Sequence, residues 1–261
     1  MKRMQGRRRI MKEKMNKIPV FYACDDNFVK YTMVSLQSMM DHASKEAQYE
    51  IHVLHTNISE EMQKKMHAME NANFSVQFDH VTEYLHSIQE KLPLRDYYSK
   101  TTYFRLFIAE MFPEIDKAIY IDSDTVVLGD IAQLYAYDLG DAYVGACKEQ
   151  VMIQEEVYGT YVEKVLGVER DNYFNAGMLV INCEQFRKNH VLEQFMELLP
   201  MYNFVVTQDE DYLNLICHNK VCWLPQKWNV EVFGQIPCRE EEICVLHYIM
   251  VSKPWHYLSL I

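Results

Sequence analysis

Glycine and proline are scarce in this chain, 8 and 7 of 261 residues, and no Gly/Ser linker, internal repeat or low-complexity tract occurs. Collagen-like and linker-joined architectures are excluded on that ground. No stretch of about 18 residues is both apolar and uncharged, so no transmembrane helix is expected. Seven cysteines are present (Cys24, Cys147, Cys183, Cys217, Cys222, Cys238 and Cys244), with no C-x-x-C pair. An odd count without paired spacing fits neither a disulfide framework nor a structural zinc site. It reads as reduced core thiols in a cytoplasmic protein. Positive charge is also short, with 26 Lys+Arg against 37 Asp+Glu and a formal net charge of -11. A surface of that sign repels phosphate backbones, so no nucleic-acid partner is expected.

What is present is an ordinary globular composition, 49% apolar, 13% aromatic and 24% charged. The length suits one large domain with a sizeable core. The charge is uneven: residues 1–17 hold eight Lys/Arg and one Glu, leaving -18 on the rest. No apolar segment follows this leader, so it is not a secretory signal. It reads either as a frayed terminus or as a basic arm touching an anionic membrane surface.

Strand-like and helix-like segments alternate. Ile18–Cys24, Tyr49–Thr56, Phe74–Val81 and the short apolar Ala118–Ile121 read as strands. Later strands are expected at Tyr143–Cys147, Met178–Asn182 and Ile243–Tyr248. Helical patterns run from Asp25-Asp26-Asn27 to about Ala43, from a Ser59 N-cap with Glu60 and Glu61 in its first turn, and over Thr101–Phe112, Cys183–Leu199 and Asp209–Cys217. This order predicts an α/β fold with a mainly parallel sheet. In such sheets ligands lie beyond the carboxyl ends of the strands, here Asp25–Asn27 and Asp122–Asp124.

Asp122-Ser123-Asp124 follows a buried strand directly. Two carboxylates at that spacing either face one hard divalent cation or close an ordinary Asx turn. His247 is either a core histidine or the nitrogen member of a mixed N/O site, which suits Mn²⁺ better than Mg²⁺. Lys253 is either a solvated lysine or a point charge for a phosphate. Asn175-Ala176-Gly177 reads as a turn into a strand, or as a place where small residues admit a ligand to the backbone. Asp209, Glu210 and Asp211 open a helix after Gln208, where carboxylates suit the dipole and are also able to hold sugar hydroxyls.

Taken together, the segments FYACDDNF (21–28), TTYFRL (101–106), IYIDSDTVV (119–127), YFNAGMLVIN (173–182), QDEDYLN (208–214) and HYIMVSKPW (247–255) resemble glycosyltransferase family 8. Bacterial lipopolysaccharide galactosyl- and glucosyltransferases are of that kind. The resemblance implies a single GT-A (Rossmann-like) domain over 18–256 with a mixed, mainly parallel central sheet, between an arm at 1–17 and a tail at 257–261. It implies a retaining, Mn²⁺-dependent transfer of glucose or galactose from a UDP-sugar to a saccharide or lipid-linked acceptor, with Mg²⁺ as the alternative ion. Asp122, Asp124 and His247 match the metal ligands. Ala23, Asp25, Asn27, Arg105, Ser123, Asn175, Ala176 and Lys253 fall in the donor-binding set. Asp209, Glu210 and Lys253 match the catalytic positions. The thiols place the protein in the cytoplasm, and peripheral contact at the inner face of the membrane would rest on the basic arm.

Two departures stand out. Many relatives have Gln where this chain has Glu210, and a carboxylate there is either a nucleophile or a source of negative field for front-face attack. Relatives often have Gly at the position of Met250, where backbone approaches phosphate. A sugar-phosphate nucleotidyltransferase is disfavoured, because ACDDNF carries no Gly-rich phosphate loop. A self-glycosylating or non-catalytic nucleotide-sugar-binding protein remains the other reading.

Overall fold

The computed structural model describes residues 17–82, 101–202, 204, 206–250 and 253–256. The expected basic arm at 1–17, apart from Lys17, and the expected tail at 257–261 lie outside them. The strands are β1 (Lys17–Ala23), β2 (Gln48–His55), β3 (Phe74–His80), β4 (Lys117–Ile121), β5 (Thr125–Val127), β6 (Val144–Lys148), β7 (Phe174–Asn182), β8 (Val221–Trp223), β9 (Val230–Glu231) and β10 (Val245–His247). The helices are α1 (Val29–His42), α2 (Glu60–His67), α3 (Ile108–Met111), α4 (Ile131–Tyr135), α5 (Gln150–Gln154), α6 (Glu156–Tyr161), α7 (Cys183–Lys188), α8 (Val191–Leu198) and α9 (Asp209–Cys217).

Seven strands form one sheet in the order β3-β2-β1-β4-β7-β6-β8. The β3-β2-β1-β4 half is parallel, β7 runs antiparallel to both neighbours, and β8 is parallel to β6. The sheet is thus mixed and mainly parallel, as expected. Side chains alternate across it. Phe21, Tyr120, Leu179 and Ile181 join one buried cluster, with Phe104, Phe107 and Phe195. Val20, Tyr22, Ile119, Met178 and Val180 join the other, with Leu36, Met39 and Trp228. Full burial of each such side chain stabilises the fold by roughly 1.5–3 kcal/mol before entropy is counted. Ser59 caps α2 by accepting from the Met62 N–H, with Glu60 and Glu61 in the first turn, as the sequence suggested.

Two helix expectations need correction. Thr101–Phe112 is a 3₁₀ segment, Thr102–Phe107, followed by the single turn α3. Arg105 lies within it and spends its guanidinium on backbone and carboxylate partners, so the local geometry follows that tether rather than the apolar pattern. Cys183–Leu199 is two helices, α7 and α8, broken where His190 takes φ 55°. That left-handed residue turns the chain, because the right-handed ladder cannot pass through it.

A second, three-stranded sheet, β5-β10-β9, positions the site. β10 pairs antiparallel with β5, setting His247 opposite Thr125, and parallel with β9. The Tyr248 N–H donates to the Asp124 carbonyl at 2.9 Å. A residue more than a hundred positions downstream is thereby fastened beside the turn that follows β4.

Candidate active site

Asp122 leaves β4 with its backbone N–H bonded to the Gly177 carbonyl at 2.7 Å. One carboxylate oxygen, Oδ1, accepts from the Tyr120 hydroxyl at 2.7 Å and from Arg105 at 3.2 Å. The other, Oδ2, faces His247 Nε2 at 3.8 Å. Asp124 is arranged the same way. Its Oδ2 meets Lys253 Nζ at 2.5 Å, and its Oδ1 lies 3.3 Å from His247 Nε2. Each carboxylate therefore has one oxygen held by protein and one turned toward the imidazole. The ligand atoms of Asp122, Asp124 and His247 all lie within 4.8 Å of one another.

The surroundings fit a divalent cation. Two hard oxygens and one imidazole nitrogen are a mixed donor set of the kind such ions take. A Cβ added at Gly177 would sit 2.2 Å from His247 Cε1 and 2.6 Å from Asp122 Oδ2, so only glycine leaves the ligands in place. Burial alone would raise the Asp124 pKa. The His247 imidazole and the Lys253 ammonium outweigh it and hold the carboxyl well below the usual range. Burial alone would lower His247, but Asp124 and Asp122 raise it above the ordinary imidazole value.

These groups rim a cavity of about 500 Å³. Asp122, Asp124, His247, Lys253, Asn175 and Glu210 line it, with Glu149 beside them. Its apolar wall includes Val151, Met152, Tyr158 and Val206. Glu210 Oε2 accepts from the Ala176 N–H at 2.6 Å. Burial, then the charge of Glu149, push the Glu210 carboxyl well above its usual range. Met250 also lines the cavity, with φ 61°, in the left-handed region that favours glycine. Two residues after Lys253, Trp255 stacks on Tyr31 of α1 at 3.7 Å.

Other residues singled out from the sequence are placed differently. Arg105 is buried under the site, not lining it. Its Nε pairs with Asp209 Oδ2 at 2.9 Å, NH1 donates to the Ala176 carbonyl, and the guanidinium lies over the Tyr120 ring at 4.4 Å. Asp209, 3% exposed, is committed to that pair. Ser123 accepts from the Thr32 hydroxyl at 2.8 Å and ties the turn to α1. Asp25 Oδ1 accepts from the N–H groups of Asn27 and Phe28, an Asx turn at the end of β1. Neither Ala23 nor Asn27 touches the cavity lining. All seven cysteines are free, and burial pushes the Cys24 and Cys183 thiols up to about 12.

Sequence reasoning missed Glu149, Glu231 and Asn229. Glu149 Oε2 accepts from Asn175, and the buried Glu231 is pushed well above the carboxylate range by burial and by its neighbour Glu149. No motif announces these residues. They come from loops and short strands that only the fold assembles.

The family model described as glycosyl transferase family 8 matches residues 19–259, and the chain belongs to that family. A putative glycosyltransferase of Haemophilus influenzae is 28% identical over 91% of this chain and 72% of its own. The lipopolysaccharide 1,3-galactosyltransferase of Salmonella typhimurium is 24% identical over 92% of this chain and 74% of its own. The galactosyltransferase LgtC, solved with donor and acceptor sugar analogs, superimposes with a TM-score of 0.75 at 26% identity, covering 92% of this chain and 90% of that one. The protein is accordingly a glycosyltransferase of GT-A fold. No helix among the described residues is long and apolar enough to cross a membrane.

Proposed function

We propose that the protein is a retaining hexosyltransferase that moves glucose or galactose from a UDP-sugar to a saccharide or glycolipid acceptor, with Mn²⁺ held by Asp122, Asp124 and His247. The observation that carries this reading is the convergence of those three ligand atoms on the rim of a cavity that also presents Glu210 and Lys253. The similarity to two galactosyltransferases supports a hexose donor. Lipopolysaccharide is the acceptor named for the Salmonella relative, and it supports a glycolipid or saccharide here.

When bound, the ion would stabilise negative charge growing on the departing diphosphate without a proton donor. The rest falls to the protein. Lys253 supplies a positive charge for the same oxygens. Glu210, fixed by the Ala176 N–H, sets a carboxyl beside the cavity. From there a carboxyl acts either as a nucleophile at the anomeric carbon or as a source of negative field for front-face attack, in which the acceptor enters as UDP leaves. Glu149 and Asn175 offer hydrogen bonds to sugar hydroxyls. Tyr158, Met152 and Val206 offer an apolar wall for the acceptor.

The test is UDP release from UDP-glucose and from UDP-galactose, with Mn²⁺ or with EDTA, for the wild type and for Asp122→Ala and Asp124→Ala. Release that needs Mn²⁺, prefers one sugar and disappears in both variants is expected. Wild-type UDP affinity in either variant would overturn the metal assignment.

A further inference from the structure

Asn229 has no exposed surface. It follows the 3₁₀ turn Gln226–Trp228 and immediately precedes β9, the strand that pairs beside His247. Its amide is held at both ends by buried partners. Oδ1 lies 3.1 Å from His247 Nδ1, and Nδ2 lies 2.8 Å from Asn175 Oδ1.

The direction of this chain of hydrogen bonds follows from one group whose role is fixed. The Gly177 backbone N–H can only donate, and it points at Asn175 Oδ1 from 2.8 Å. The atom it meets must be the carbonyl oxygen of Asn175, whose Nδ2 then donates to Glu149 Oε2. An oxygen already accepting from Gly177 takes its second hydrogen bond from an N–H, so Asn229 presents Nδ2 to it. Asn229 Oδ1 is thereby turned to His247, where an acceptor requires a proton on Nδ1. The other ring nitrogen, Nε2, is the one that faces Asp122 and Asp124.

We infer that Asn229 is a positioning residue for the metal site: it holds the His247 ring with Nδ1–H inward, so that the Nε2 lone pair is aimed between Asp122 and Asp124. This rests on the reading of those three residues as a cation site. It adds a residue with no contact to the cation, and it gives Asn175 a second task. Asn175 lines the cavity and, through Asn229, also sets the ring orientation of His247, which lines it too. Outer-shell hydrogen bonds of this kind are worth about 10- to 100-fold in metal affinity.

The experiment titrates Mn²⁺ into donor-free wild type, Asn229→Ala and Asn229→Asp by calorimetry, with pulsed EPR reading the ¹⁴N coupling of the bound ion. Wild type is expected to bind with a directly coordinated nitrogen. Asn229→Ala should lose about tenfold or more in affinity and weaken or lose that coupling. Asn229→Asp, which accepts from Nδ1–H but cannot donate to Asn175, should restore the coupling. Equal affinity and unchanged coupling in Asn229→Ala would overturn the inference, and so would equal affinity losses in both variants with the coupling intact. Wild type without saturable Mn²⁺ binding would overturn the cation site itself, and the inference with it. Should Asn229→Ala fail to fold, ¹⁵N-histidine NMR of the Mg²⁺-loaded wild type reads the His247 tautomer directly. Protonated Nδ1 supports the inference and protonated Nε2 overturns it.

Discussion

Lys253 Nζ sits 2.5 Å from Asp124 Oδ2 and also donates to the Tyr248 carbonyl. The residue matched to the leaving diphosphate thus rests on a carboxylate matched to the cation. The ammonium neutralises Asp124 in the absence of ligands and must let go of it, in part, to reach a phosphate. A charge-assisted hydrogen bond of this type is worth about 1.5–3 kcal/mol. Lys253→Ala should therefore bind Mn²⁺ more tightly when donor is absent, on the order of tenfold. The same variant should bind UDP more weakly when Mn²⁺ is saturating. Calorimetry of both ligands checks the pair of opposite changes, and a parallel loss of both would contradict it.

Gly177 is the position where one methyl group would disturb the proposed metal site. A Cβ here would lie 2.2 Å from His247 Cε1 and 2.6 Å from Asp122 Oδ2, which leaves no room for alanine unless a ligand moves. Gly177→Ala should fold with a stability loss of about 1–3 kcal/mol, the usual range for overpacking. It should lose most of its Mn²⁺ affinity. A thermal melt and a metal titration separate the two effects. Unchanged metal affinity would show that the ring and the carboxylate retreat without consequence.

Met250 holds a backbone conformation suited to glycine, with a side chain half exposed at the mouth of the cavity. Left-handed backbone costs a residue with a Cβ about 1–2 kcal/mol. Met250→Gly should relieve that strain and bare the backbone toward a diphosphate, tightening UDP binding. Met250→Ala, which keeps the Cβ, should not relieve the strain. Comparison of UDP affinity and urea midpoint across the two variants checks this, and equal behaviour would remove the backbone from the explanation.

Arg105 is a buried cation shared by Asp122, Asp209 and the Ala176 carbonyl. Burial alone would lower its pKa, but Asp122 and Asp209 outweigh that and keep it charged. Arg105→Met would strand Asp209, whose pKa burial already raises. Breaking such a pair from one side costs about 3–5 kcal/mol. Urea unfolding should show a loss of that order. Arg105→Met combined with Asp209→Leu should recover the part owed to Asp209, while Asp122 keeps only the Tyr120 hydroxyl on that oxygen.

Much of the central sheet was legible because its strands are locally self-declaring. β1 and β4 are mostly apolar runs, β2 and β3 mix apolar with polar residues, and their parallel order follows from the helical segments between them. β7 was readable only from Met178 onward, although the strand begins at Phe174, because Asn175 and Gly177 interrupt the apolar pattern. The break at His190 was not legible, since the apolar periodicity continues across it while the backbone does not. Asp122 and Asp124 could be found as a pair because they are two residues apart at a strand end.

The sequence alone determined the α/β class, the strand-end placement of Asp122 and Asp124, and the family resemblance, because each is written in short contiguous segments, six of them for the resemblance. Tertiary structure decided the rest. The β5–β10 pairing brought His247 to the aspartates, since ladder hydrogen bonds join segments that no local pattern connects. Close packing at Gly177 left the ligands their space. The fold also separated Arg105 and Asp209, which are buried as a mutual pair, from Glu210 and Lys253, which reach the cavity. That division follows from burial and charge pairing, which are settled only when the chain is packed.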